Sequence, residues 1–452
     1  MNRAGNSGYY HSVRLEEEKC QGCTHCIRTC PTEAIRVRNG KAKIIDERCI
    51  DCGECIRTCP NSAKITTTDP LDSIKTFKYK VAIPAPSFSG QFSRKYMLDK
   101  ALFGFMLLGF DEVMEVAFGA SIMAKAITQY LHDHGAELPR PMISSACPAV
   151  VRLIQVKFPG LVGNIIPLES PMEITARYAR RKIAEMQGIP DSDIGVFFIT
   201  PCPAKVTAVK QPVAAETSAV NGVISMTEMV NQIKKHFSSL RSLEELQKAP
   251  GMGIGWGRRD GEVESVDIPN KMAVDGIQHV SKLLEKIEAG GFRNIRFIEA
   301  QACVGGCVGG VLTVENPFLA KLKVDLVSDA VDKANDGLAE KVYTEFKESD
   351  FLFSQEIQPR PILTLDADVG KAMEKLKKID EIHAELPGID CGACGCPNCR
   401  AFAADVVNGL ASRMDCHFDL RERVTGLAQE IFALAKKLPH TMQEKGNPDE
   451  TK

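Results

Sequence analysis

Two segments near the N-terminus carry the same cysteine pattern. Cys20, Cys23, Cys26 and Cys30, followed by Pro31, match Cys49, Cys52, Cys55 and Cys59, followed by Pro60, at an offset of 29 residues. Each copy reads C-x2-C-x2-C-x3-C-P. The chain has 452 residues, 17 of them cysteine, a formal charge of −2 and 44% hydrophobic residues. That length implies two to four domains with cores of their own, not a miniprotein stapled by disulfides. The near-neutral, apolar-rich composition excludes a disordered acidic tail. It also lacks the basic excess of a nucleic-acid binder. Met1 to Arg14 contain no basic stretch leading into an apolar one. The longest strongly apolar stretch, Ala101 to Phe110, is about half a membrane span and reads as a buried helix. The expectation is a cytoplasmic protein with no membrane or nucleic-acid partner. In a reducing compartment its cysteines serve metal ligation or catalysis.

The duplicated pattern is that of a two-cluster ferredoxin. Three closely spaced thiolates wrap three irons of one cubane, and the fourth, further round the loop, reaches the other cubane. Cys20, Cys23, Cys26 and Cys59 are therefore expected to hold one [4Fe–4S] cluster, and Cys49, Cys52, Cys55 and Cys30 the second. Paired cysteines also occur in zinc ribbons, but not eight in this duplicated order with both prolines. Residues 33–38 and 41–45 flank Asn39-Gly40 and predict a small hairpin, with no obvious equal in the second copy.

A second group lies near the C-terminus. Cys391, Cys394, Cys396 and Cys399 precede a helical stretch, Arg400 to Leu410, and then Cys416. The set Cys391, Cys394, Cys399 and Cys416 resembles the small [4Fe–4S] domain of electron-transfer complexes and corrinoid proteins, which makes these four the implied ligands and Cys396 the spare thiol. Four thiolates also suit zinc.

The remaining cysteines lie in three contexts: Ser144-Ser145-Ala146-Cys147-Pro148, Thr200-Pro201-Cys202-Pro203-Ala204-Lys205, and Glu299-Ala300-Gln301-Ala302-Cys303-Val304-Gly305-Gly306-Cys307. In this order, after a ferredoxin-like repeat, they resemble the three active-site motifs of [FeFe]-hydrogenases. The likeness runs over roughly residues 75 to 365 and includes Ala85-Pro86-Ser87 after a strand-like stretch, Lys78 to Ile83. The resemblance implies an H-cluster: a [4Fe–4S] cubane on Cys147, Cys202, Cys303 and Cys307. Cys307 would bridge to a two-iron subcluster carrying CO, CN⁻ and an aza-dithiolate. Lys205 would donate to one cyanide, and Ser87 with the backbone after Pro86 to the other. Glycines 305, 306, 309 and 310 would allow close backbone approach to the cluster.

Departures from that family concentrate on one property. Catalytic members have two adjacent cysteines in the first motif, and the first of them carries protons; here it is Ala146. The comparable relay helix, Ser121 to Leu131, has no carboxylate, the relay serine falls at Ile166 if Asn164 is matched, and the acidic residue after the second motif is Ala208. Methionines that line the two-iron site are replaced by Thr200 and Gln301, polar changes in a shell that tunes the metal. Every cluster ligand is kept while the proton wire is lost. Positioned proton transfer contributes about two to four orders of magnitude in rate, so slow turnover is expected. The pattern resembles the sensory branches of the family, which pair with kinases or phosphatases. Two alternatives stay open: a working ferredoxin-linked hydrogenase with a substitute proton path, and an iron–sulfur scaffold without the two-iron subcluster.

Other features are plainer. Gly251 to Gly257 reads as a loop over the site, and His132-Asp133-His134 as a surface helix end. Phe237–Gln247, Met373–Glu385 and Arg421–Leu438 have helical amphipathic spacing. The second shows its apolar face at Met373, Leu376, Ile379 and Ile382; the third fits either packing on its own domain or a dimer or signalling helix. The tail from His440 is polar. The expected fold is multidomain α/β: a two-cluster ferredoxin fold (1–75), a two-lobed H-cluster domain (76–365), and a helical linker with a small [4Fe–4S] domain (366–452). Expected partners are H2 and protons, ferredoxin or another redox protein, a kinase or phosphatase, hydrogenase maturation proteins, and a second copy of the chain.

Overall fold

The computed structural model describes residues 9–237, 246–331, 334–360, 365–366 and 368–437. Its strands are β1 (Val13–Leu15), β2 (Ile35–Arg38), β3 (Lys41–Ile44), β4 (Lys64–Thr66), β5 (Tyr79–Pro84), β6 (Glu112–Val113), β7 (Met142–Ile143), β8 (Ile194–Thr200), β9 (Gly222–Ser225), β10 (Lys271–Asp275) and β11 (Phe297–Gln301).

The cysteine repeat is written into the backbone. β2 and β3 form the expected hairpin, with Arg38 opposite Lys41. Asn39 and Gly40 both take the positive φ that a tight twisted turn requires, 52° and 72°. β4 does not repeat that hairpin; it pairs antiparallel with β1, Val13 opposite Thr66. Gly22 and Asp51 are left-handed at equivalent places, as are Glu33 and Ser62. Ala34 N–H donates to Cys30 Sγ at 3.2 Å, and Ala63 N–H does the same to Cys59 Sγ at 3.3 Å.

Residues 79–301 build two parallel sheets, in the orders β6-β5-β8-β9 and β10-β11-β7. β8 is buried along its whole length, as its near-continuous apolar run requires for a strand covered on both faces, and β11 is buried throughout although it carries Glu299 and Gln301. The first sheet packs on an aromatic cluster. Phe88 lies 5.3 Å from Phe105, Phe105 5.8 Å from Phe110, and Phe110 6.2 Å from Phe197, centroid to centroid. The helix Val116–Asp133 packs against Pro171–Gln187, and its end carries exposed His132, as expected. The apolar stretch from Ala101 lies in the helix Lys95–Leu107 and buries Ala101, Leu102 and Phe105. Among the described residues, no helix is long and apolar enough to cross a membrane.

Three expectations change. Gly251–Gly255 is a short helix, not a loop. Glycine is needed there because a Cβ on Gly253 would overlap the Ala117 carbonyl oxygen on the facing helix. In the helix Val369–Glu385 only Ile379 is buried, packed with Ile382 against Phe402 and Ala403 of the helix Cys399–Val407, while Met373 and Leu376 stay exposed. The helix His417–Ala435 buries no residue, so it does not pack on its own domain. Phe237–Gln247 lies mostly outside the described residues, as does the tail from His440.

Close packing around Gly253 gives a test. Gly253→Ala lowers stability by about 1–3 kcal/mol by overpacking. Gly163→Ala, whose Cβ would meet nothing within 4 Å, leaves it near wild type. Thermal unfolding midpoints of the two variants compare them directly.

Candidate active site

Ligands in parallel α/β sheets collect beyond the carboxyl ends of the strands. Here β5 runs into Ala85 and Pro86, β7 into Ala146 and Cys147, β8 into Cys202, and β11 into Cys303. All of these residues line one cavity of about 90 Å³, together with Cys307, Lys205, Gln301, Trp256 and Glu262. The four thiols separated by up to 160 residues in sequence thus face one space.

Local sequence explains how each thiol is presented. Pro148 and Pro203 are the first residues of helices, so Cys147 and Cys202 sit at their N-caps. A helix N-terminus favours the thiolate form that a metal requires. The loop from Cys303 to Cys307 turns through Gly305 and Gly306 at φ 85° and 88°. A Cβ on Gly306 would come within 2.5 Å of the Arg259 nitrogen and of Gln301 Oε1.

Burial pushes the Cys202 thiol up to about 11, and those of Cys303 and Cys307 well above their usual range. Without a cation these thiols hold their protons, and metal loading releases them. The polar atoms around the cavity fit an anionic, acceptor-rich group. Lys205 makes no hydrogen bond or ion pair within the described residues. Ser87 is next to the lining residue Pro86 without lining the cavity itself, and its buried Oγ has no partner, a costly state unless something else satisfies it; Gln301 Oε1, also unpartnered, is an acceptor. A Cβ on Gly257 would strike the Pro86–Ser87 peptide, 2.8 Å from Ser87 nitrogen, so this backbone is held tightly. Four thiols, one free ammonium and an orphaned hydroxyl suit the cubane with a cyanide-bearing two-iron group.

Thr200 departs from its expected place at the cavity. It is fully buried, and its hydroxyl is used locally, donating to the Cys202 carbonyl at 2.9 Å and accepting from Cys202 N–H at 3.2 Å. It braces the ligand loop instead of facing the site. Ala146 does line the cavity, as do Gln301 and Pro86.

Sequence reasoning missed a carboxylate pair. Ser144 Oγ contacts Glu262 Oε1 at 2.7 Å and Oε2 at 2.8 Å, and accepts from Ala146 N–H at 3.1 Å. Burial, then the nearby Glu299, push Glu262 up to about 8. Burial pushes Glu299 up to about 7, although it accepts from Val263 N–H at 2.9 Å. Glu299 Oε1 has no partner, and the partly exposed Asp260 lies behind it. A signal was present: Glu299 falls in an otherwise apolar buried strand four residues before Cys303, and Glu262 falls among the small residues after Gly251.

The other thiols extend the site. Cys26 lies within electrostatic reach of Cys23, Cys59 and Cys20, whereas Cys49 and Cys52 both sense Cys55 and Cys30. Cys55 senses both Cys30 and Cys26. The second group abuts the cavity: Cys52 lines it, and Arg57 donates to the Gly309 carbonyl at 2.6 Å. The first group abuts the C-terminal unit. Val37 N–H donates to the Gly395 carbonyl at 2.8 Å, Arg38 to the Cys394 carbonyl at 3.0 Å, and Arg36 pairs with Asp405 at 2.7 Å. There Cys391, Cys394, Cys399 and Cys416 line a common pocket, while Cys396 is buried outside it against Asp405 and Arg38.

The comparisons agree with this geometry. The family model for the iron only hydrogenase large subunit, C-terminal domain, matches residues 78–267 and 251–311. A 4Fe-4S dicluster domain matches residues 12–60, and an Fe-S cluster family matches residues 386–418. Iron hydrogenase 1 of Clostridium pasteurianum is 26% identical over 371 residues, covering 66% of this chain and 64% of that protein. The NADP-reducing hydrogenase subunit HndD of Solidesulfovibrio fructosivorans is 22% identical over 353 residues, covering 66% of this chain and 56% of that one. The chain therefore spans less than two thirds of the length of either relative. A variant of the [FeFe]-hydrogenase HydA1 from Chlamydomonas reinhardtii shares the fold, with a TM-score of 0.51 at 16% identity, over 65% of this chain and 98% of that one. With its four strand-end thiols and a family match over more than half its length, the chain belongs to the iron-only, or [FeFe], hydrogenase large-subunit family.

Proposed function

We propose that this chain is a regulatory [FeFe]-hydrogenase: it binds H2 at an H-cluster, interconverts H2 and protons slowly, and passes the result to a partner protein. One observation carries the reading. All four thiols face the cavity, yet the wall position of the proton-carrying cysteine is Ala146, which has no titratable group. Cys147, Cys202, Cys303 and Cys307 would hold the cubane, and Lys205 and Ser87 would donate to its cyanide ligands. The free Lys205 and the orphaned Ser87 hydroxyl weigh against a scaffold that holds only a cubane, which needs no such donors. When bound, the two-iron group supplies the iron at which H2 reacts and an amine base beside it.

The protein's own proton chemistry passes through other atoms. The Ser144 hydroxyl links the Ala146 amide to the Glu262 carboxyl group. Burial raises Glu262 to about 8 and Glu299 to about 7, so each can take or give a proton near neutral pH. Asp260, partly exposed, lies within electrostatic reach of the pair's Glu299. This pair favours the second reading, a slow enzyme in its own right, as far as turnover goes. It replaces the family relay rather than restoring it. Electrons have a matching file of sites: the C-terminal thiols, then Cys20, Cys23, Cys26 and Cys59, then Cys49, Cys52, Cys55 and Cys30, then the cavity. A ferredoxin or other redox partner would meet the outer end.

Infrared spectroscopy of protein treated with maturation proteins tests the reading. Expected are CO and CN⁻ bands that shift under H2, with turnover orders of magnitude below that of catalytic members. Absence of the bands after maturation leaves only the scaffold, and fast turnover removes the regulatory assignment.

Linkage gives a second expectation. Carboxyl groups whose folded pKa lies above the ordinary 4.5 bind protons more tightly in the native state. Their contribution is complete below about pH 4.5 and is lost as pH rises through about 7 to 8. Glu115, buried and pushed up to about 7, acts in the same direction. Chemical denaturation across this window should show stability falling with pH, and Glu262→Gln should flatten the slope.

A further inference from the structure

The helix His417–Ala435 starts directly after Cys416 and buries none of its residues. It nevertheless carries a continuous apolar seam. Leu420, Val424, Leu427, Ile431 and Leu434 are 42%, 56%, 49%, 65% and 63% exposed. Their spacing alternates four and three residues, the 3.5-residue period of a coiled-coil seam. A helix lying on a globular surface shows a broader apolar stripe at a period of 3.6. The residue types are also sorted. Val424 and Ile431, both β-branched, occupy one seam position, and Leu420, Leu427 and Leu434 occupy the other. In the sequence Leu438 continues the first set at the next step. β-Branched residues at the first position and leucine at the second favour two parallel strands over higher assemblies. Arg421, Glu422, Arg423, Thr425, Gln429 and Glu430 lie off the seam, as does Phe432, which is 62% exposed. Gly426 weakens the isolated helix by about 1 kcal/mol relative to alanine, and most helical stability in proteins comes from packing an apolar face.

We propose that this helix pairs with the same helix of a second copy of the chain, in a parallel two-stranded coiled coil. The pairing sets the two copies' Cys416, and with them their C-terminal thiol groups, at the same end of the dimer. A change at the outer end of one copy's electron file is then presented beside that of the other, on a symmetric surface that a regulatory partner can read.

Sedimentation of the full-length, cluster-loaded chain tests the pairing. The expected species is a dimer of two 49.5 kDa chains. Leu427→Glu or Ile431→Glu buries a charge against its own copy and weakens association by about 100-fold or more. Gln429→Lys, off the seam, leaves it unchanged. All three positions are exposed, so loss of the fold does not confound the result. A wild-type chain that stays monomeric at its highest soluble concentration overturns the proposal, as does a dimer that survives both glutamate variants, or a trimer. For orientation, a spin-labelled unnatural residue replaces Phe418. In a parallel pair the two labels lie close together; an antiparallel pair separates them by about 25 Å more and overturns the parallel register.

Discussion

The structure depends on the convergence of four parallel strand ends on one cavity. Each of β5, β7, β8 and β11 delivers a short segment there, and three of the four segments bring thiols. Burial of Cys202, Cys303 and Cys307 is unfavourable to their charged forms, so a bound cation would have to displace their protons. The two sheets, the aromatic cluster behind β5 and β8, and the glycines that let Gly306 and Gly310 approach the neighbouring backbone all serve that convergence. Proline-led helices at Cys147 and Cys202 then aim N-terminal dipoles at the same space.

A dry cavity also explains the fate of the proton path. Carboxyl groups next to such a site pick up protons at neutral pH, because ionisation there is opposed by burial and by each other. Glu262 and Glu299 occupy that regime, while Ala146 removes the group that would have reached furthest into the cavity. In the proposed reading, proton supply would pass on the Ser144 side, and the slower exchange between the cavity and solvent that would follow suits a device that reports H2 more than one that consumes it. The C-terminal unit docks on the β2–β3 hairpin, at the far end of the thiol file from the cavity.

Legibility in the sequence followed the locality of each signal. Turn chemistry is local, so the hairpin at Asn39-Gly40 could be read from two residues. The convergence of Cys147, Cys202, Cys303 and Cys307 is not local and came through family likeness. The carboxylate pair escaped because Glu262 and Glu299 lie 37 residues apart, and nothing in either neighbourhood says that they meet. Thr200 looked like a cavity residue because it stands where the family places a methionine, but its hydroxyl satisfies the ligand loop. The helix after Cys416 had two readings from spacing alone. Only the absence of any buried residue on it separated them.

The most direct test of a relocated proton path is H2/D2O exchange by the maturated protein at pH 7, wild type against Glu262→Gln. Transfer through the Ser144–Glu262–Glu299 side predicts that exchange falls by about 100-fold or more in the variant, while its CO and CN⁻ infrared bands keep their wild-type intensity. Equal exchange rates in the two proteins, with the bands intact in both, would contradict it.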